Sequence, residues 1–106
     1  MSKKKKPNPI AGDLQPSVPI VPGFSSQFKS DLQWWFKHDQ KKAEKILDLV
    51  TEAMKNPFQG IGKPEPLKYL DGNMWLRRID LEHRLIYRIS TTQIDFLACR
   101  FHHESL

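Results

Sequence analysis

Two stretches of this chain repeat their apolar residues at helical spacing, and three later stretches are dense in branched and aromatic residues. Phe28, Leu32, Trp35 and Phe36 recur at intervals of three and four, which places them near one helix face. Ser25 or Ser26 supplies a hydroxyl to cap that helix, and His38-Asp39 marks the break after it. The next repeat is clearer: Ala43, Ile46, Leu47, Val50, Ala53 and Met54 share a face, while Lys41, Lys42, Glu44, Lys45 and Asp48 lie elsewhere. Asn56-Pro57 ends it, because proline disfavours a helical residue before it.

Residues 57–66, PFQGIGKPEP, read as a rigid loop from their three prolines and two glycines. Strand-like runs follow at 74–81, 84–89 and 94–102, and their short connections favour an antiparallel meander. Val18, Ile20 and Val21 can form a first strand, which Pro19 and Pro22 would confine to an edge, and a further short strand is expected near 67–70. The order β-α-α-β-β-β predicts an α+β fold with two N-terminal helices on one face of a mainly antiparallel sheet.

Composition narrows the setting. A chain of 106 residues fits one domain; residues 1–17, rich in lysine and proline, are expected to form a disordered tail before a domain spanning 18–106. The single cysteine, Cys99, allows no internal disulfide and points to a reducing cytoplasm. No apolar run approaches a membrane span, and the N-terminal lysines lack the apolar stretch of a signal peptide. Cys99, His102, His103 and Glu104 crowd one short terminal segment, a poor ligand geometry, so neither metal nor cofactor is expected.

The net charge is +5, a value that invites a nucleic-acid partner. Leaving out residues 1–23 removes four lysines and Asp13, so 13 basic residues then face 11 acidic ones, a net of +2. The type of cation is more telling than the sum. Arg77, Arg78, Arg84, Arg88 and Arg100 all fall in the last third, and arginine's planar fork matches phosphate oxygens.

Glu65, Lys68, Arg77, Arg78, Arg84, His102 and His103 lie within about 40 residues and supply the parts of a metal-free ribonuclease. Such an enzyme needs a base for the ribose 2′-hydroxyl, a cation for the crowded phosphate and an acid for the departing 5′-oxygen. Strand alternation sends Arg77 and Arg78 to opposite faces, and likewise His102 and His103, but periodicity leaves open which member of each pair faces a site. Plainer readings stand beside this. A lone glutamate in a proline-rich loop is more often a solvated charge, and strand arginines commonly pair with neighbours such as Asp80 or Glu82. Trp34, Trp35 and Phe36 read as core and helix-packing surface, and His83 as structural.

Three blocks recur together: PFQGIGKPEPLK at 57–68, W-x-R-R-I-D-x-E-H-R-L-I-Y at 75–87 and A-C-R-F-H at 98–102. In this order and spacing the chain resembles the YoeB toxin family of the RelE superfamily over roughly residues 24–103. The resemblance implies a RelE-like fold and a toxin that cleaves mRNA in the ribosomal A site, leaving a cyclic phosphate, without a metal. It also implies a YefM-like antitoxin, with operator DNA contacted only through that antitoxin. By the same resemblance Glu65 is the general base, Arg84 holds the scissile phosphate and His102 is the general acid. Lys68 and Arg78 become RNA-binding positions, and Arg77 turns away; His103, standing where the family has a tyrosine, is a further RNA-binding candidate able to stack on a base. A ParE-type gyrase inhibitor shares the fold but generally lacks this glutamate, arginine and histidine set.

Two features depart from the family pattern. The family typically ends in His-Tyr, whereas here His102-His103 continues through Glu104, Ser105 and Leu106. An N-terminal extension of about 20 residues precedes the matching part. The altered ending supports an alternative reading, a ribosome- or antitoxin-binding protein with weak nuclease activity.

Overall fold

Ser25 decides where the first helix begins. Its Oγ accepts the Phe28 N–H at 3.0 Å, satisfying one of the amides that a helix start leaves without partners, and donates to Leu97 O at 2.8 Å. In a computed structural model the chain is described over residues 20–67 and 73–101. The tail at 1–17, Val18, residues 68–70 of the expected extra strand, Lys68, His102 and His103 lie outside the described residues.

The described part is a five-stranded sheet with two helices on one face. Strand β1 (Val21–Phe24) leads into α1 (Ser26–His38) and α2 (Gln40–Lys55). Then come β2 (Glu65–Pro66), β3 (Met74–Arg78), β4 (Arg84–Ile89) and β5 (Gln93–Ala98), in the spatial order β1-β5-β4-β3-β2. The three-strand meander is antiparallel as expected, and β1 lies at an edge, parallel to β5 with Val21 opposite Gln93.

Several boundaries differ from the sequence reading. The first strand starts at Val21 and runs on to Phe24, so the edge extends past Pro22. Glu65 and Pro66 belong to a short strand rather than to the loop, because they pair with Leu76 and Trp75 of β3. Strand β3 stops at Arg78, since the chain turns at Asp80, whose Oδ1 accepts the Glu82 and His83 amides at 2.9 and 2.7 Å. Strand β5 ends at Ala98, where α1 takes over the Cys99 amide.

One residue serves both helices at their junction. The Asp39 N–H donates to Trp35 O at 2.7 Å, closing α1, and its carboxylate accepts the Lys42 N–H at 3.3 Å, opening α2. On α2 the buried set is Ala43, Ile46, Leu49, Val50 and Ala53. Leu47, expected inside, is 42% exposed, because the helix is rolled toward the loop, where Leu49 packs so closely that a Cβ on Gly62 would lie 2.8 Å from its Cδ2. Phe36 is likewise exposed and Trp34 half-buried, so Trp35 alone of that trio joins the core.

A buried arginine lies between helix, loop and sheet. Arg77 is fully buried, and its guanidinium donates to Asn56 O at 2.6 Å, Gln59 O at 2.8 Å and Ile61 O at 2.9 Å. Its Nε donates to the Tyr87 hydroxyl at 3.0 Å, which in turn donates to Pro57 O at 2.7 Å. No carboxylate among the described residues pairs with this charge; the carbonyl dipoles at the end of α2 and in the loop neutralise it. Gly60 and Gly62 take the positive φ angles, 118° and 84°, that the loop needs to aim those carbonyls inward. The Arg78 N–H to Gly62 O bond, 2.6 Å, ties the loop to β3.

Two predictions follow from this packing. Arg77→Met keeps much of the side-chain volume but strands several buried carbonyls and a phenol, so it should cost about 3 kcal/mol or more in urea unfolding; an unchanged midpoint would contradict the loop-anchoring role. Asp80 supplies the second. Partial burial raises its pKa, but hydrogen bonds from Lys42, from the Glu82 and His83 amides and from the His83 ring outweigh that and hold it well below the usual carboxylate range. Its contribution to stability is therefore present above about pH 4 and is lost as pH falls through the depressed value. Asp80→Asn should melt lower than the parent chain by a constant margin above about pH 5, and the margin should shrink below about pH 4; a pH-independent margin in circular dichroism melts would exclude this linkage.

Candidate active site

Register decides which side chains can meet, because residues directly opposite across a sheet share a face. Glu65 lies opposite Leu76, Leu76 opposite Ile86, and Ile86 opposite Ala98. Arg78 lies opposite Arg84 in the next row along β3 and β4. Both rows belong to the face turned away from the helices. That face has its own buried floor of Leu67, Met74, Leu76, Ile86 and Ala98.

A bulge between Ile86 and Tyr87 makes these rows possible. Ile86 opposes Ala98 while Tyr87 opposes Phe96, leaving Leu97 as the extra residue. The bulge changes the alternation of β5, so Ile94 and Phe96 join the helix-side core while Ala98 joins the opposite floor.

The consequences for the sequence-derived candidates are direct. Glu65, Arg78 and Arg84 share one face, with Glu65 and Arg78 one diagonal apart, about 7–8 Å in such a sheet. Arg77 points the other way into the core, as the alternation requires. Glu65 and Arg78 are exposed and Arg84 half-buried. The placement of Lys68, His102 and His103 lies outside the described residues, but the described chain reaches Phe101, whose carbonyl accepts the Arg84 N–H at 3.0 Å.

Arg84 is held from behind. Its Nη1 donates to Asp80 O at 2.7 Å and His83 O at 3.0 Å, so the turn fixes the guanidinium. The turn is itself braced by Lys42, 2.9 Å from Asp80 Oδ2, and by His83, which contacts Asp80 Oδ1 at 3.0 Å and the Trp35 ring edge-on at 4.8 Å. Asp80 thus pairs with Lys42 and His83 rather than with a strand arginine. Sequence reasoning missed this brace, although Asp80 followed two residues later by Glu82 carries the signal of an Asx turn.

Two guanidinium groups directly opposite each other repel. Their pairing on an open face, near one carboxylate, makes a local positive field suited to an anion such as a phosphodiester. Cys99 does not contribute, because burial, reinforced by nearby Asp31, raises its thiol pKa and keeps it protonated. Among the described residues no group of three or more histidine, cysteine or acidic side chains is placed to hold a metal ion. No helix among them is long and apolar enough to cross a membrane.

Known proteins share both the sequence and this architecture. The sequence model of the YoeB-like toxins of bacterial type II toxin–antitoxin systems matches residues 24–103. A Toxin YoeB of Synechocystis is 42% identical over 80 residues, covering 71% of this chain and 93% of the relative. Among solved structures, a YoeB/ParE toxin from Agrobacterium tumefaciens superposes with a TM-score of 0.75 at 38% identity, over 79% of this chain and all of that one. A toxin chain from the heterotetrameric YoeB-YefM toxin–antitoxin complex of Staphylococcus aureus gives 0.69 at 34% identity, over 79% of this chain and 98% of that one. The residues that build the open face, from Glu65 to Phe101, fall inside the matched segment, and the chain belongs to the YoeB-like toxins of bacterial type II toxin–antitoxin systems.

Proposed function

We propose that this toxin is a ribosome-dependent endoribonuclease that cleaves mRNA in the A site by metal-independent acid–base transesterification, halting translation in the cytoplasm. The observation that carries the reading is the placement of Glu65, Arg78 and Arg84 on one open face. Glu65 takes the proton from the ribose 2′-hydroxyl, and O2′ attacks the adjacent phosphorus. Arg84, steadied by its bonds to the 80–83 turn, stabilises the charge on the pentacoordinate phosphate, and Arg78 shares it. His102 protonates the departing 5′-oxygen, leaving a 2′,3′-cyclic phosphate and a 5′-hydroxyl. Lys68 and His103 contribute contacts to the RNA. A carboxylate is a weak base at neutral pH, so this chemistry depends on orientation that the ribosome and its rRNA supply.

The partner in the cell is a YefM-like antitoxin whose acidic segment covers the basic face. Contact with operator DNA comes through that antitoxin. In Staphylococcus aureus, YoeB and YefM form a heterotetrameric toxin–antitoxin complex. The terminal sequence His103-Glu104-Ser105-Leu106 favours one second reading, a binder of ribosome or antitoxin with weak nuclease activity. Induction followed by mapping of mRNA 5′ ends separates the two: new ends at A-site codons support the nuclease, and stalling without new ends supports the binder.

Two predictions test the assignment. Glu65→Gln and His102→Ala should each slow cleavage on programmed ribosomes by about 10²- to 10⁴-fold, with ribosome binding retained; wild-type rates in either variant would remove that residue from the mechanism. Arg78→Gln should relieve the repulsion with Arg84 and raise the melting temperature slightly while lowering the cleavage rate. A loss of both stability and activity would show instead that Arg78 is structural.

A further inference from the structure

Beyond β5 the chain is gripped at three consecutive residues. The Cys99 N–H donates to Asp31 Oδ2 at 3.0 Å and its carbonyl accepts from Trp35 Nε1 at 2.7 Å, so α1 holds both backbone groups of this residue. The Arg100 guanidinium carbon lies 3.7 Å from the centroid of the Trp34 ring and 4.5 Å from that of Phe101. Trp34 is in turn stacked by His38 at 4.3 Å and met edge-on by Trp35 at 5.0 Å. Phe101 takes a φ of 64°, a conformation that an aromatic residue keeps only when its surroundings impose it, and its carbonyl accepts the Arg84 N–H.

Arg100 is held by stacking. Among the described residues no carboxylate pairs with it, and its buried Nε has no hydrogen-bond partner there. A guanidinium over an indole face gains most when partly desolvated, and half-buried Arg100 meets that condition. Chain ends are normally loose unless tied down. Here the ties fall on the three residues immediately before His102, and the last of them joins the backbone of Arg84.

We infer that Arg100, through its stack on Trp34, is a positioning residue for the proposed general acid: it fixes the backbone at Phe101, the residue before His102, beside Arg84. The inference rests on the reading of His102 as the general acid. Arg100 does not touch the substrate in this account. Its loss leaves Glu65, Arg78 and Arg84 on their strands, so the effect falls on the chemical step and not on docking.

Single-turnover cleavage at varied concentrations of mRNA-programmed ribosomes tests this with paired variants. Arg100→Met keeps the length and removes the cation, and Arg100→Lys restores it; Trp34→Leu removes the aromatic face, and Trp34→Phe restores it. Arg100→Met and Trp34→Leu should lower the maximal rate by roughly ten- to a hundredfold, with the half-saturating ribosome concentration unchanged and the chain folded, though melting somewhat lower. Arg100→Lys and Trp34→Phe should recover most of the rate, and Arg100→Met combined with Trp34→Leu should be no slower than the worse single variant. A folded Arg100→Met chain with the wild-type maximal rate overturns the inference, as does a loss seen only in the half-saturating concentration or a lysine that fails to rescue. If Arg100→Met does not fold, Trp34→Leu carries the same test. His102→Ala, run alongside, separates the two readings. Wild-type cleavage by it defeats the acid assignment; an inactive His102→Ala beside fully active Arg100→Met and Trp34→Leu defeats the positioning role alone.

Discussion

The buried guanidinium of Arg77 is the contact on which the rest of the structure depends. It collects the carbonyls of Asn56, Gln59 and Ile61 and the hydroxyl of Tyr87, joining the end of α2, the 57–62 loop and the sheet at one point. A buried charge is tolerated only where its donors are satisfied, and here backbone dipoles do so without a carboxylate among the described residues. The loop is thereby given a fixed path, and the chain that leaves it enters β2 at Glu65. A side chain on the helix face thus sets the conformation of the segment that delivers a side chain to the other face.

That division between faces explains how a small domain carries both a core and a site. On the helix side, Leu85, Tyr87, Ile94 and Phe96 pack with Phe28, Trp35, Ile46 and Leu49. On the other side a smaller apolar floor lies beneath Glu65, Arg78 and Arg84. Adjacent arginines therefore do opposite work: Arg77 stabilises, and Arg78 contributes positive potential at a cost in repulsion with Arg84. Lys42 and His83 brace Asp80, and with it the turn that holds the Arg84 guanidinium.

The sequence made much of this legible, and its failures have physical causes. Helical spacing located both helices, and alternation separated Arg77 from Arg78, because those periods are local. The three blocks shared with the YoeB toxins selected Arg78 over Arg77 for the open face, a choice that periodicity had left open. Long-range contacts were not legible. Nothing local shows that Glu65 pairs with Leu76, that β1 lies parallel to β5, or that a bulge at Leu97 resets the faces of the last strand. The burial of Arg77 was half visible, since the resemblance turned it away from the open face, but its carbonyl partners come from a loop about 20 residues away in sequence. Leu47 and Phe36 were misplaced because the width of an apolar stripe does not fix the roll of a helix against its sheet.

The proposed division of roles between Glu65 as base and His102 as acid is tested most directly by changing the leaving group. On programmed ribosomes, an mRNA whose bridging 5′-oxygen at the A-site cleavage position is replaced by sulfur releases a thiolate, which needs no proton. The account predicts that His102→Ala cleaves this substrate nearly as fast as the unaltered toxin, while Glu65→Gln remains slow on both substrates. A His102→Ala chain that stays equally impaired on the sulfur-bridged mRNA would contradict the acid role and, with it, the proposed acid–base mechanism.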